Sequence, residues 1–165
     1  MKKKTAKKKA TKKAIRATPL GYTILHAETG KKAELPGIDA WPNQYNGYEI
    51  RIDIPEYTSI CPKTKLPDFG TITIEYLPNE ECLELKSLKH YILQYRNIGI
   101  FYENAVNRIL EDVVKATRPR WAMVTGKFTP RGGMCSTIVA RHGAAPGRER
   151  TEAGGPGQGP GGPQQ

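Results

Sequence analysis

Tyr48, Ile50, Ile52 and Ile54 alternate with Glu49, Arg51 and Asp53, and Ile72, Ile74 and Tyr76 alternate with Thr71, Thr73 and Glu75. A period of two gives each segment one apolar face, so both are predicted as half-buried strands. From Leu85 the spacing lengthens to that of a helix. Leu85, Leu88, Tyr91, Ile92 and Tyr95 share one face, with Leu85, Leu88 and Ile92 expected in the core. Tyr102, Val106, Ile109, Leu110, Val113 and Val114 do the same for a second helix, which Pro119 closes. Residues 121–128 and 134–141 again read as extended, joined by Pro130, Arg131, Gly132 and Gly133. Strand, strand, helix, helix, strand, strand predicts an α+β fold, with two helices covering one face of a four-stranded antiparallel sheet. Such a sheet keeps two open edges, which must be blunted or paired with another chain.

Charge changes the picture mainly at the ends. Residues 1–16 hold eight Lys, one Arg and no acid, so most of the formal charge of +10 sits in a head that has little to bury. The body from 17 to 140 is charge-neutral, with 14 basic and 14 acidic residues. Residues 154–165 contain six Gly and three Pro, a linker composition. The expected organisation is a disordered Lys-rich arm over 1–18, one catalytic domain over 19–142 and a disordered Gly/Pro tail over 143–165. A phosphate-binding arm that contacts nucleic acid is a secondary reading, which the neutral body and the lack of a base-stacking motif disfavour. No apolar run reaches the ~18 residues needed to span a bilayer. Three cysteines with no CxxC pair suit neither a disulfide framework nor a zinc site; no metal is expected, and a cytoplasmic setting is.

Candidate chemistry gathers in three places. The first is TSICPKTKLPDFG, residues 58–70, which Pro62 and Pro67 mark as a loop between the first two strands. If those strands pair, Cys61 and Asp68 flank its neck, within reach of a shared small site. Cys61 there is either a nucleophile, with Lys63 and Lys65 favouring its thiolate, or a small buried apolar residue. Asp68 either moves protons or caps a turn. Cys82 and Cys135 have no comparable partner and read as structural. The second place is ELKSLKHY, residues 84–91: Glu84 opens a helix, and Lys86 and Lys89 project together as either an anion site or a solvated face. Glu103, opening the second helix, is either a first-turn acid or a carboxylate that accepts two parallel N–H bonds from a guanine-like edge. The third place is GKFTPRGG, residues 126–133, which is first of all a turn and carries neither nucleotide-loop fingerprint.

Together CPKTKLPD, ELKSLKHY and GKFTPRGG resemble the NADPH-dependent 7-cyano-7-deazaguanine reductases of queuosine biosynthesis, over residues 48–133. The resemblance implies a tunnelling fold whose open edges join copies into a barrel, a homo-oligomer such as a decamer of two pentamers, with active sites between subunits. It implies that Cys61 attacks the nitrile carbon of 7-cyano-7-deazaguanine to give a covalent thioimide. Asp68 donates the proton, and two NADPH complete the reduction to the aminomethyl product. It implies base binding by Leu83, Glu84, Leu85, Tyr102 and Glu103, and cofactor contacts by Lys86, Lys89 and Arg131. Two positions depart from the family pattern: Tyr102 stands where His is common, and His90 where Leu or Tyr is. With a pKa near 10 a phenol is a poor proton shuttle at neutral pH, so Tyr102 is expected to bind rather than relay. The competing readings are an amidinotransferase that passes the same thioimide to ammonia or an amino acid, and a non-catalytic nucleic-acid binder. The two lysines favour the reductase.

Overall fold

The computed structural model describes residues 18–145; of the expected arm over 1–18 and tail over 143–165, residues 1–17 and 146–165 lie outside them. Its centre is a four-stranded antiparallel sheet in the order β2 (Ile50–Ile60), β3 (Pro67–Leu77), β5 (Trp121–Arg131), β6 (Met134–Gly143). Helix α2 (Leu85–Gln94), the 3-10 turn Tyr95–Asn97 and helix α3 (Tyr102–Thr117) cover one face. Their stripes meet Tyr57, Ile72, Ile74, Tyr76, Val124 and Phe128 of the sheet in a single core. Arg118, in the left-handed conformation at φ 44°, ends α3 just before Pro119. The expected α+β order is present.

Short elements escape periodic reading: α1 (Ile24–Glu28), and β1 (Ala40–Pro42), which pairs with β4 (Glu81–Leu83) as a small separate ladder. Three to five residues are too few to show a period. Two expectations need correction. Strand pairing continues through Ser59 opposite Asp68 and Ile60 opposite Pro67, so the loop is only 61–66. Pro67 is tolerated because it is the first residue of its strand and lies beyond the stretch paired with β5. Leu85 is not core but 60% exposed, at the first position of its helix.

Two bulges set the faces of the strands. Between Ile54 and Tyr57 strand β2 advances three residues while β3, from Ile72 to Gly70, advances two. The extra residue, beside Pro55, exchanges the inward set from Ile50, Ile52 and Ile54 to Tyr57, Ser59 and Cys61. Strand β5 does the same between Phe128 and Arg131 against Ser136 and Met134, beside Pro130. Arg131 thereby joins Phe128 on the inner face. Apart from a bridge between Ile60 at the end of β2 and Gly99, edge strands β2 and β6 are unpaired on their outer sides among the described residues.

Candidate active site

The bulge in β2 brings Cys61 to the helix-covered side, where Asp68 also points. Asp68 is the direct partner of Ser59 in the ladder, so Cys61, two residues on, is its diagonal neighbour on the same face. A tight turn closes the end: the Cys61 N–H donates to the Leu66 carbonyl at 2.9 Å, and the Lys65 N–H donates to the Cys61 carbonyl at 2.9 Å. Lys65 accepts a left-handed φ of 61° to make it.

Burial pushes the Cys61 thiol up, but hydrogen bonds from the Thr64 hydroxyl, the backbone N–H groups of Thr64 and Lys63, and Arg131 outweigh it and hold the thiol below its ordinary value. The donors are thus the turn's own backbone, Thr64 and Arg131, rather than the expected ammonium groups. The Lys63 side chain turns away to the Gly21 carbonyl at 3.2 Å and sits over the Tyr22 ring. Asp68 is 4% exposed, and burial raises its carboxyl above the usual range against the pull of Tyr102 and Arg131. A buried acid made easier to protonate next to a thiol made easier to ionise is a pair suited to sharing one proton.

The third and fourth members arrive from elsewhere in the chain. Residues Ile98 and Ile100 bond to Ile60 in a short parallel bridge, which sets the start of α3 against the end of β2. From there the Tyr102 hydroxyl donates to Asp68 Oδ1 at 2.9 Å. Its ring lies flat on Phe128, centroids 3.7 Å apart at 13°. Gly126 makes room for this stack, because a Cβ there would come within 2.6 Å of Val106 and 2.8 Å of the Phe128 ring. Arg131 Nη2 contacts the same Asp68 oxygen and donates to the Pro67 carbonyl at 3.0 Å. Sequence reasoning grouped Arg131 with the cofactor lysines; the structure groups it with Cys61 and Asp68. Glu103 is exposed beside this cluster, one residue along α3 from Tyr102.

The remaining candidates lie at the opposite end of the ladder. The Leu83 N–H donates to the Tyr76 hydroxyl at 3.0 Å, and the Leu83 carbonyl accepts from the Trp41 indole at 3.3 Å. Tyr76 and Asp68 are eight residues apart on β3, so at ~3.3 Å per residue these ends are about 26 Å from one another. Glu84 caps α2, accepting from the N–H groups of Lys86 and Ser87 at 2.8 and 2.6 Å, which lowers its carboxyl. Leu83, Leu85, Trp41, Ile50 and Ile52 line a cavity of about 510 Å³. It shares Ile52 and Leu85 with a groove of about 360 Å³ between α2 and β2, floored by Leu88 and Ile92 and rimmed by Lys89. Lys86 is exposed on the same helix. Cys82 is buried with the Tyr48 hydroxyl 3.3 Å from its sulfur, whereas Cys135, on the edge strand β6, is exposed.

The family model of the QueF-like protein matches residues 67–146, which takes in Asp68, the 83–89 segment, Tyr102, Glu103 and Arg131. A protein of Elusimicrobium minutum named NADPH-dependent 7-cyano-7-deazaguanine reductase is 62% identical over 123 residues, 74% of this chain and 93% of that one. The chain belongs to this reductase family. A second family member, from Chlorobium phaeovibrioides and of the same name, is 54% identical over 107 residues, 64% of this chain and 92% of its own. Among solved structures, the archaeosine synthase QueF-Like in the apo form is similar with a TM-score of 0.57 and 27% identity, over 62% of this chain and all of that one.

Proposed function

We propose that Cys61 is the nucleophile and Asp68 the proton donor with which this enzyme reduces the nitrile of 7-cyano-7-deazaguanine to the aminomethyl group of 7-aminomethyl-7-deazaguanine, in queuosine biosynthesis. The observation that carries this reading is the buried pair itself: Asp68 lies diagonal to Cys61 on the same face, with its carboxyl made easier to protonate by burial and the thiol made easier to ionise by its donors. A nitrile carbon is a poor hydride acceptor. Attack by the Cys61 sulfur forms the S–C bond while one C–N π pair moves onto nitrogen, and that nitrogen takes the single proton shared by the pair through Asp68. The product is a neutral thioimide, whose C=N–H carbon is a better hydride acceptor than the nitrile carbon it replaces. NADPH, when bound, supplies two hydrides in succession, four electrons in all; between them the C–S bond breaks with Cys61 leaving as thiolate, and solvent supplies two protons, one to the nitrogen and one to restore the Cys61–Asp68 pair.

Lys86 and Lys89 fit the cofactor's phosphates: both are exposed on one side of α2, above an apolar groove that suits a flat ring. Glu103 is positioned to accept the N–H pair of the base's guanine-like edge. Leu83, Glu84 and Leu85 cannot reach Cys61 within one copy, because the length of the β3 ladder separates them. Their contribution to base binding therefore requires a second copy. The open edges of β2 and β6 offer the means for a barrel of several copies, such as two stacked pentamers. Three free cysteines support a reducing, cytoplasmic setting, and no helix among the described residues is long and apolar enough to cross a membrane. The likeness to an archaeosine synthase keeps an amidinotransferase as the second reading, against which the paired lysines and the two named reductases weigh.

Purified protein mixed with 7-cyano-7-deazaguanine and NADPH is expected to oxidise about two NADPH per nitrile, and to scatter light as a particle larger than the 18.3 kDa chain. No cofactor oxidation, with the nitrile instead trapped by ammonia, would replace the reductase with the transferase. A single chain of full activity would remove the shared site. Lys86→Ala combined with Lys89→Ala should raise the KM for NADPH roughly tenfold or more, two charge-assisted contacts being lost. The KM for the nitrile should barely move; the opposite pattern would take the lysines off the cofactor.

A further inference from the structure

The Asp68 carboxyl is held asymmetrically. Both of its donors, the Tyr102 hydroxyl at 2.9 Å and the Arg131 guanidinium, go to Oδ1, and among the described residues nothing donates to Oδ2. A carboxyl oxygen that already accepts two N–H or O–H groups has little lone-pair density left for a proton, so the proton goes to the other oxygen. We infer that Tyr102 is a positioning residue that, with Arg131, confines the transferable proton of the general acid to Oδ2 and turns that oxygen toward the reacting nitrogen. The inference rests on Asp68 being the proton donor and assigns which of its atoms delivers.

Tyr102 is built for this task. The phenol is pushed up to about 12, first by burial and then by its bond to Asp68, so it stays a donor throughout the working range and does not take the proton itself. Its ring is locked on Phe128, and Phe128 stands over the side-chain-free Gly126. That stack fixes the direction of the hydroxyl, which is aimed at Oδ1. As a donor to the carboxylate form it also pulls the Asp68 pKa down, opposing the burial that raises it. The other groups facing Asp68 are Arg131 from β5, which pulls the same way; Ser59, its neutral partner on β2, whose hydroxyl makes no hydrogen bond; the buried Tyr57 phenol of β2, which burial keeps neutral; and the Cys61 thiol.

The test reads the pH dependence of thioimide formation in the full-length enzyme without NADPH, by mass spectrometry or absorbance. The pair is active while it holds one proton, so the rate falls on the acid side as Asp68 takes a second. Tyr102→Phe keeps the ring and its stack and removes only the hydroxyl. It should move the acid limb up by about one pH unit and leave the nitrile concentration for half-saturation unchanged. Incorporating 3-fluorotyrosine at position 102, a stronger donor on the same ring, should move the limb the opposite way. Opposite displacements at constant half-saturation support the assignment. An unmoved limb, two displacements in the same direction, or an effect on half-saturation alone (as for a hydroxyl that merely touches the base) would overturn it. Asp68→Asn with unchanged adduct formation would instead reject the proton donor itself, so the two failures are distinguishable.

Discussion

Cys61→Ala should abolish the covalent adduct and lower NADPH-dependent turnover by about 10⁴-fold or more, an added barrier of roughly 5.5 kcal/mol. The loss is large because the sulfur changes the electrophile: without it, hydride must add to a nitrile instead of a thioimide C=N–H. Binding should survive, since the thiol is one atom on the wall of a site whose base contacts lie elsewhere. Intact mass after mixing with the nitrile alone is the direct measurement. The wild type gains the full mass of the substrate, because addition to a nitrile expels nothing, and the variant gains none. Two other cysteines provide the control. Cys82 is enclosed beside Tyr48, and Cys135 lies on the far edge strand, so Cys135→Ser should form the adduct as the wild type does. An adduct that persists in Cys61→Ala would move the nucleophile to another residue.

What was legible in the sequence follows from what each signal encodes. Alternation along residues 48–54 and 71–76 and the helical stripes gave the α+β order, because one face of every element is buried. The seven-residue spacing of Cys61 and Asp68 across a Pro-marked turn brought the two together. Carrying the same alternation past Ile54, however, would aim Cys61 at the outer face; only the bulge at Pro55 corrects this, and a bulge leaves no periodic trace. The second bulge likewise hid that Arg131 joins Asp68. Tyr102 reaches Asp68 through the Ile60 bridge to residues 98–100, a pairing between segments with no shared pattern. The lysines of the 61–66 loop read as the source of an effect that the Thr64 hydroxyl, the loop's backbone N–H groups and Arg131 produce, because charge is visible in a sequence and the direction of a hydroxyl or an amide is not. Leu85 reads as core from its spacing, yet it begins its helix and stays exposed.

Asp68→Asn separates proton delivery from thiol activation. In the wild type the rate of thioimide formation should trace a bell in pH: its acid limb belongs chiefly to Asp68, raised by burial, and its alkaline limb to Cys61, lowered by the turn and Arg131. Both shifts draw the limbs together, so the bell is narrower than a free carboxyl and a free thiol would give. Asparagine cannot donate the proton, so adduct formation should slow by about 10²- to 10⁴-fold and the acid limb should vanish, leaving a rate that only climbs as the thiolate forms. Arg131, released from Asp68, still faces the sulfur, and the thiol should be no harder to ionise than before. Alkylation of Cys61 by iodoacetamide needs no proton delivered to its electrophile and should therefore proceed near pH 7 at least as fast as in the wild type. Slow nitrile addition with intact alkylation identifies Asp68 as the acid. If both reactions slow together, the carboxylate serves only to hold the turn in shape; if neither does, the proton reaches nitrogen from another group.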